Sequence, residues 1–173
     1  MSAFRLRRAG PGDAPALALV AAATFLETYA GLIPVADMLA HCAGKASPAL
    51  FADWCARADH AVILAEHPST AAPLGFAVLT PPDFPVPTGP GDVELRRIYA
   101  LATMHGRGLG HALMVEAFDA ARGLGGHRVL LGVNGDNARA HAFYERQGFA
   151  VVGARRFQVG AGSYDDRIYA RAL

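Results

Sequence analysis

The chain has 173 residues, 53% of them hydrophobic and 18% charged, a length and balance that fit one globular domain over residues 1–173 and exclude a disordered protein. Sixteen basic and fifteen acidic side chains leave a formal charge of +1, which argues against broad adhesion to nucleic acid or an anionic membrane but permits a local phosphate site. Cys42 and Cys55 lack C-x-x-C spacing, the seven histidines form no metal-binding pattern, and no run is apolar enough for a signal peptide or a bilayer span. A cytoplasmic protein with free thiols and no metal is expected.

Phe4 and Leu6 alternate with Arg5 and Arg7 as in a short strand, and Gly10-Pro11-Gly12-Asp13 breaks it and caps a helix. From Ala14 to about Tyr29 the residues Leu17, Val20, Ala21, Phe25 and Leu26 form a helical stripe, ended by Gly31 and Pro34, and one or two further helical pieces are predicted over 35–58. The apolar, β-branched runs 61–66 and 74–80 predict an antiparallel hairpin. The segment PPDFPVPTGPGD, residues 81–92, is too rich in Pro and Gly to be regular, and its length predicts a loop at the rim of a site.

A strand follows at 93–101, then a helix from about Gly108 to Leu124, a strand at 128–133, and a helix from Asp136 or Asn137 through Gln147 with Gly148 as its left-handed end. Two strands at 149–158 and 164–172 complete the order β-αα-βββ-α-β-α-ββ. Strands alternating with helices in the second half predict an α/β fold, with a mixed, partly parallel sheet of about seven strands flanked by four or five helices.

Two segments carry chemistry. His105-Gly106-Arg107-Gly108-Leu109-Gly110-His111 joins a strand to a helix start, where glycines admit a phosphate and the free helix amides supply donors. It is neither a G-x-G-x-x-G loop, which would need glycine at 111, nor a G-x-x-x-x-G-K-[ST] loop. Alone it reads equally as a phosphate cradle or as a Gly-rich turn. Downstream, Asn137, Ala140 and Tyr144 recur along one helix face and place an amide and a phenol side by side, although core packing is the common fate of such an aromatic.

Taken together and in order, the opening strand with Asp13, the strand ELRRIYAL leading into HGRGLG, and the N-x-x-A-x-x-x-Y-x-x-x-G-F helix resemble the GNAT superfamily of acyl-CoA-dependent N-acyltransferases over nearly the whole chain. His105 stands where the family pattern has Gln or Arg. The resemblance implies that the backbone of Gly106, Arg107, Gly108, Leu109, Gly110 and His111 holds the pyrophosphate of acetyl-CoA, the co-substrate, and that Ile98, Tyr99 and Ala100 meet its pantetheine arm. It implies that Asn137 also touches that arm and that Tyr144 protonates the departing thiolate. Glu94 stands at the offset of a general base in the histone-acetylating branch and would act directly or through water.

The acceptor pocket implied by the resemblance is walled by Glu27 and Tyr29 beside Phe25 on one side and by Tyr164, Asp165 and Asp166 on the other. The expected partner is a small-molecule primary amine attacked directly in a ternary complex, with neither nucleic acid nor membrane involved and with a homodimer as the family-level assembly. A protein or peptide acceptor and a non-catalytic acyl-CoA sensor are the alternatives.

Overall fold

The computed structural model describes the backbone of residues 3–159 and 162–173, and the side chains of these residues outside 157–164. In chain order the elements are β1 (Arg5–Arg8), α1 (Ala14–Tyr29), α2 (Val35–Lys45), α3 (Pro48–Ala56), β2 (Ala61–Glu66), β3 (Pro73–Thr80), β4 (Asp92–Ala100), α4 (Leu109–Gly123), β5 (Arg128–Asn134), α5 (Ala138–Arg146), β6 (Ala150–Val159) and β7 (Gly162–Ala172). They form one seven-stranded sheet in the order β1-β2-β3-β4-β5-β7-β6, antiparallel throughout except for the β4–β5 pair. The mixed α/β architecture is the one the strand and helix order predicts. Among the described residues no helix is long and apolar enough to cross a membrane.

Local chemistry fixes the element ends. Ser47 accepts from the Leu50 amide and Pro48 occupies the first turn, which starts α3. The Asp13 carboxylate accepts from the Gly10 amide at 2.9 Å and takes both arms of the Arg7 guanidinium at 2.8 and 2.7 Å, which ties β1 to the entry of α1. These bonds hold the Asp13 carboxyl down at about 2, from 3.8, with Arg7 the leading cause. A depressed carboxylate stabilises the fold fully above its unfolded value, and the contribution is lost as pH falls through the folded one. Asp13→Asn is therefore expected to cost about 1–2 kcal/mol at neutral pH, discounted for the part-exposed Arg7, with the gap to the parent closing below about pH 4. Urea unfolding across that range measures it.

Helices cover each face of the sheet unevenly. On one face Leu109, Leu113, Met114 and Ala117 of α4 pack on Ile63, Ala77, Leu79, Leu95, Val129 and Leu131. On the other, Leu17 and Val20 of α1 and Phe51 and Trp54 of α3 pack on Val62, Leu64, Phe76 and Val78. Because β2 meets helices on both faces, its run AVILAE is buried throughout, and the Glu66 carboxylate survives there by pairing with Arg5 and Arg7. Leu130 and Ile168 are covered instead by Phe84 and Val86, so the Pro-rich segment is a lid on the sheet face at β5 and β7.

Two irregularities in β4 open the site. Parallel pairing with β5 runs only from Asp92–Glu94 to Arg128–Leu130. Between Leu79↔Leu95 and Val78↔Arg97 the β3–β4 register also shifts, leaving Arg96 as the extra residue of a bulge. Past Glu94, β4 and β5 are no longer paired, and a cleft passes between them.

Candidate active site

The cleft has a volume of about 940 Å³ and is lined by Leu95–Ala100 of β4 and Leu131–Asn134 of β5, with α1 at one end and the N-termini of α4 and α5 at the other. A volume of this order suits a cofactor-sized ligand, such sites spanning roughly 300–1,000 Å³. Of the residues singled out in the sequence, Glu27, Tyr29, Ile98, Tyr99, Ala100, Gly106, Gly108, Gly110, His111, Asn137 and Tyr144 all line it.

The glycine turn has the geometry that its composition demands. Gly106 and Gly108 adopt φ +75 and +81, conformations that L side chains rarely take, and a Cβ at either would meet nothing within 4 Å. That open space lies before the first turn of α4, where the amides of Leu109, Gly110 and His111 have no carbonyl four residues back within the helix. Donors, positive helix end and missing side chains fit the pyrophosphate of a coenzyme A ester. Two members of the expected cradle behave differently. The Arg107 amide is committed to the Met104 carbonyl at 3.2 Å and its side chain is exposed outside the cleft lining, because the turn needs that bond to close. Leu109 contributes backbone alone, since its side chain is fully buried in the α4 core.

His105, at the family's Gln/Arg position, turns back so that Nε2 meets the Ala100 carbonyl at 3.2 Å. Asn137 caps α5, its Oδ1 accepting from the Ala140 amide at 3.0 Å, and the residue lines the cleft at the helix start. Tyr144 packs against Phe143, Phe149 and Tyr169 with centroids at 5.3, 5.8 and 6.4 Å. Its hydroxyl has no hydrogen-bond partner among the described residues. Burial pushes the Tyr144 phenol well above its ordinary value, and neighbouring Tyr99 adds to the rise.

Glu94, expected to act directly or through water, stands behind the cleft wall rather than on it. It is 4% exposed and absent from the cleft wall, and Oε2 accepts from the Asp83 amide at 3.0 Å and from Arg96 at 3.1 Å. Alternation turns it to the sheet face opposite Leu95, where burial raises its pKa and Arg96, the Asp83 amide and Arg155 pull it back. Glu27 lines the cleft, but Oε2 accepts from the Ala102 amide at 2.9 Å and so anchors α1 to the turn after β4. Asp165 and Asp166 lie off the wall, paired with Arg156 at 3.6 Å and Arg155 at 3.4 Å, and the Tyr164 side chain lies outside the described residues.

Three residues, His141, Arg96 and Arg97, escape a reading of the sequence. His141 is buried, with Nδ1 at 2.9 Å from the Tyr169 hydroxyl and Nε2 at 3.1 Å from the Gly135 carbonyl, pinning α5 to β7 and to the end of β5. Its place one residue past the motif's Ala140 carried no signal. Arg96 and Arg97 both stand on the cleft wall, and the adjacent arginines inside an apolar strand pattern were the available clue. Among the described residues no group of three or more His, Cys, Asp or Glu side chains is gathered to hold a metal ion.

Sequence and structure comparisons place this geometry in a class. The sequence model of the acetyltransferase (GNAT) family matches residues 33–149. Over 161 residues, 93% of this chain and 98% of the relative, the chain is 34% identical to the uncharacterized N-acetyltransferase Rv2669 of Mycobacterium tuberculosis (strain ATCC 25618 / H37Rv). The fold matches that of a PaiA N-acetyltransferase from Thermoplasma acidophilum solved in complex with coenzyme A, with a TM-score of 0.79 and 22% identity over all of both chains. A ribosomal-protein-alanine N-acetyltransferase from Brucella melitensis follows at TM-score 0.73 and 22% identity over 98% of this chain and 99% of that one. The chain belongs to the acetyltransferase (GNAT) family and is an acyltransferase whose co-substrate is acetyl-CoA.

Proposed function

We propose that the protein transfers acetyl from acetyl-CoA to the primary amine of a small molecule by direct attack, with both substrates held together in the cleft. One observation carries this reading: the β4–β5 gap joins the Gly106–His111 turn, the backbone of Ile98 to Ala100 and Tyr144 in a single cavity. Acetyl-CoA supplies the thioester at which the amine is acylated. The first-turn amides of α4 hold the pyrophosphate charge, with Arg139 on the cleft wall beside them. Backbone amides of β4 near Tyr99 and Ala100 hold the arm and polarise the carbonyl oxygen. Tyr144 holds a proton at Oη for the leaving sulfur, and burial keeps that proton in place across the neutral range.

The amine must be neutral to attack. Buried and already hydrogen-bonded, the Glu94 carboxylate takes the amine's proton only through water, one step behind the wall formed by Leu95 and Arg96. Glu94→Gln is expected to lower kcat/KM about tenfold at neutral pH, with the loss relieved as pH rises toward the pKa of the free amine. A rate profile from about pH 6 to about pH 10 checks this, and a profile identical to the parent assigns deprotonation to solvent in the cleft.

Support for a small acceptor comes from what closes the flanks. Phe84 and Val86 pack on Leu130 and Ile168, and the Arg155 guanidinium lies 4.8 Å over the Phe84 ring, so the lid occupies a face along which an extended peptide would lie. On the opposite side Glu27 ties α1 to Ala102. Thiol release with a panel of small amines and peptides tests the reading. Faster turnover of small amines is expected, preference for peptides would make this a protein acetyltransferase, and binding without release would make it a sensor. The reading includes a cytoplasmic location and a homodimer, the latter checked by sedimentation equilibrium.

A further inference from the structure

A small niche of about 30 Å³ opens beside the cleft between α1, α2 and β4, and the two share Thr24, Arg97 and Tyr99 as walls. Its other lining groups include His41, Phe25 and Phe76. Space for a water requires roughly 10–15 Å³ by this measure, so the niche takes a group of about two oxygen-sized atoms and no ring.

The charged side chain on its wall is Arg97. Arg97 is half-buried, stands over the Trp54 and Phe51 rings at 5.0 and 5.9 Å, and donates to the Lys45 carbonyl. Among the described residues no carboxylate lies within 4.0 Å of it, whereas Arg7, Arg96, Arg128 and Arg155 each have one. A guanidinium carries five N–H donors in a planar fork, so most of those of Arg97 remain unspent. His41 lies flat on Phe25, with centroids at 3.8 Å and planes at 4°, and burial together with the cations Arg97 and Lys45 pushes its pKa down. Among the described residues the carboxylate on the adjoining cleft wall, Glu27, is turned to the Ala102 amide. Thr24 cannot donate to a guest, because its hydroxyl is bonded to the Val20 carbonyl at 2.9 Å.

We propose that this niche is an anion subsite for the acceptor, and that the acceptor class is a small amine carrying a carboxylate, which Arg97 grips while the amine faces the thioester. The inference rests on the acetyl-transfer reading above and adds the acceptor's chemistry. A planar fork matches the two oxygens of a carboxylate, and the niche is too small for the larger tetrahedral phosphate. Its position at Arg97, two residues from Tyr99 on β4, sets carboxylate and amine apart along the same strand.

Two measurements on the full chain with bound CoA test it. In the first, the Arg97 Nε–H resonance is followed by NMR during titration with N-acetylglycine and, separately, with N-acetylglycinamide. A saturating shift is expected with the acid alone. In the second, amino acids are compared with their carboxamides as acceptors in thiol release. Arg97→Gln is expected to raise KM for the acids about tenfold or more while leaving the carboxamides and acetyl-CoA unchanged, and Arg97→Lys to recover part of the loss. Should Arg97→Gln fail to fold for want of its packing on Trp54, the titration of the parent still decides. Equal use of acid and carboxamide, or equal response of Arg97 to both probes, overturns the subsite and leaves acetyl transfer standing. A selective Arg97 shift with no amine acetylated sustains the subsite and overturns the transfer reading.

Discussion

Tyr144→Phe is expected to lower kcat by about a hundredfold or more while KM for acetyl-CoA stays within about twofold. The substitution removes one oxygen and keeps the ring, so the packing on Phe143, Phe149 and Tyr169 persists and α5 stays in place. Lost is the hydroxyl proton proposed to go to the leaving sulfur. Burial raises the phenol because the phenolate would lose its water, and a thiolate forming in the same cleft loses water for the same reason. Both acids rise together, so transfer from Oη to sulfur remains close to balanced. Deprotonation of Tyr144 accordingly sets no limb of the rate profile below about pH 10, and an alkaline fall in the parent that disappears in Tyr144→Phe would contradict this. Steady-state rates of thiol release in both proteins give the comparison.

Gly108→Val is expected to weaken acetyl-CoA binding about a hundredfold, equivalent to about 2.7 kcal/mol. Two independent effects add. At φ +81 a β-branched residue is strained, and its Cβ would project into space that no protein atom occupies within 4 Å, in front of the amides proposed to meet the pyrophosphate. Gly123 supplies the control. It ends α4 far along the helix from the cradle, its Cβ also meets nothing, and its φ is ordinary. Gly123→Ala should leave binding unchanged and raise stability by about 0.4–1 kcal/mol. Calorimetric titration of both variants separates loss of the cradle from loss of the fold.

Most elements were legible because each carried its own punctuation. Gly10-Pro11-Gly12-Asp13, Gly31 with Pro34 and Gly148 mark boundaries that the backbone respects, and the apolar run AVILAE, read as one strand of a hairpin, pairs with β3 as expected. The glycine turn before α4 was legible in the same way, since positive φ calls for glycine at 106 and 108. What the residues withheld arises from pairing rather than from local preference. No residue type announces that β4 bulges at Arg96, yet that one insertion turns both Arg96 and Arg97 toward the α1 side, where Thr80 and Trp54 receive them. The strand offset of Glu94 located it along the chain but could not say that the carboxylate would be taken up by Arg96 and the Asp83 amide. The family resemblance put Glu27 on the acceptor wall, where it does line the cleft, but its hydrogen-bond partner, the Ala102 amide, lies on a distant segment that local sequence does not reveal. Buried polar pairs such as His141 with Tyr169 also span elements far apart in sequence, and their complementarity exists only in the fold.

The most direct test mixes the parent protein with acetyl-CoA and a panel of primary amines and follows free thiol together with N-acetylated product. The cleft as described requires at least one amine to yield thiol and acetylated product in equal amounts, and Tyr144→Phe to slow both together. Acetyl-CoA bound in the cleft with no thiol released above the solvent background, for any amine in the panel, would contradict it.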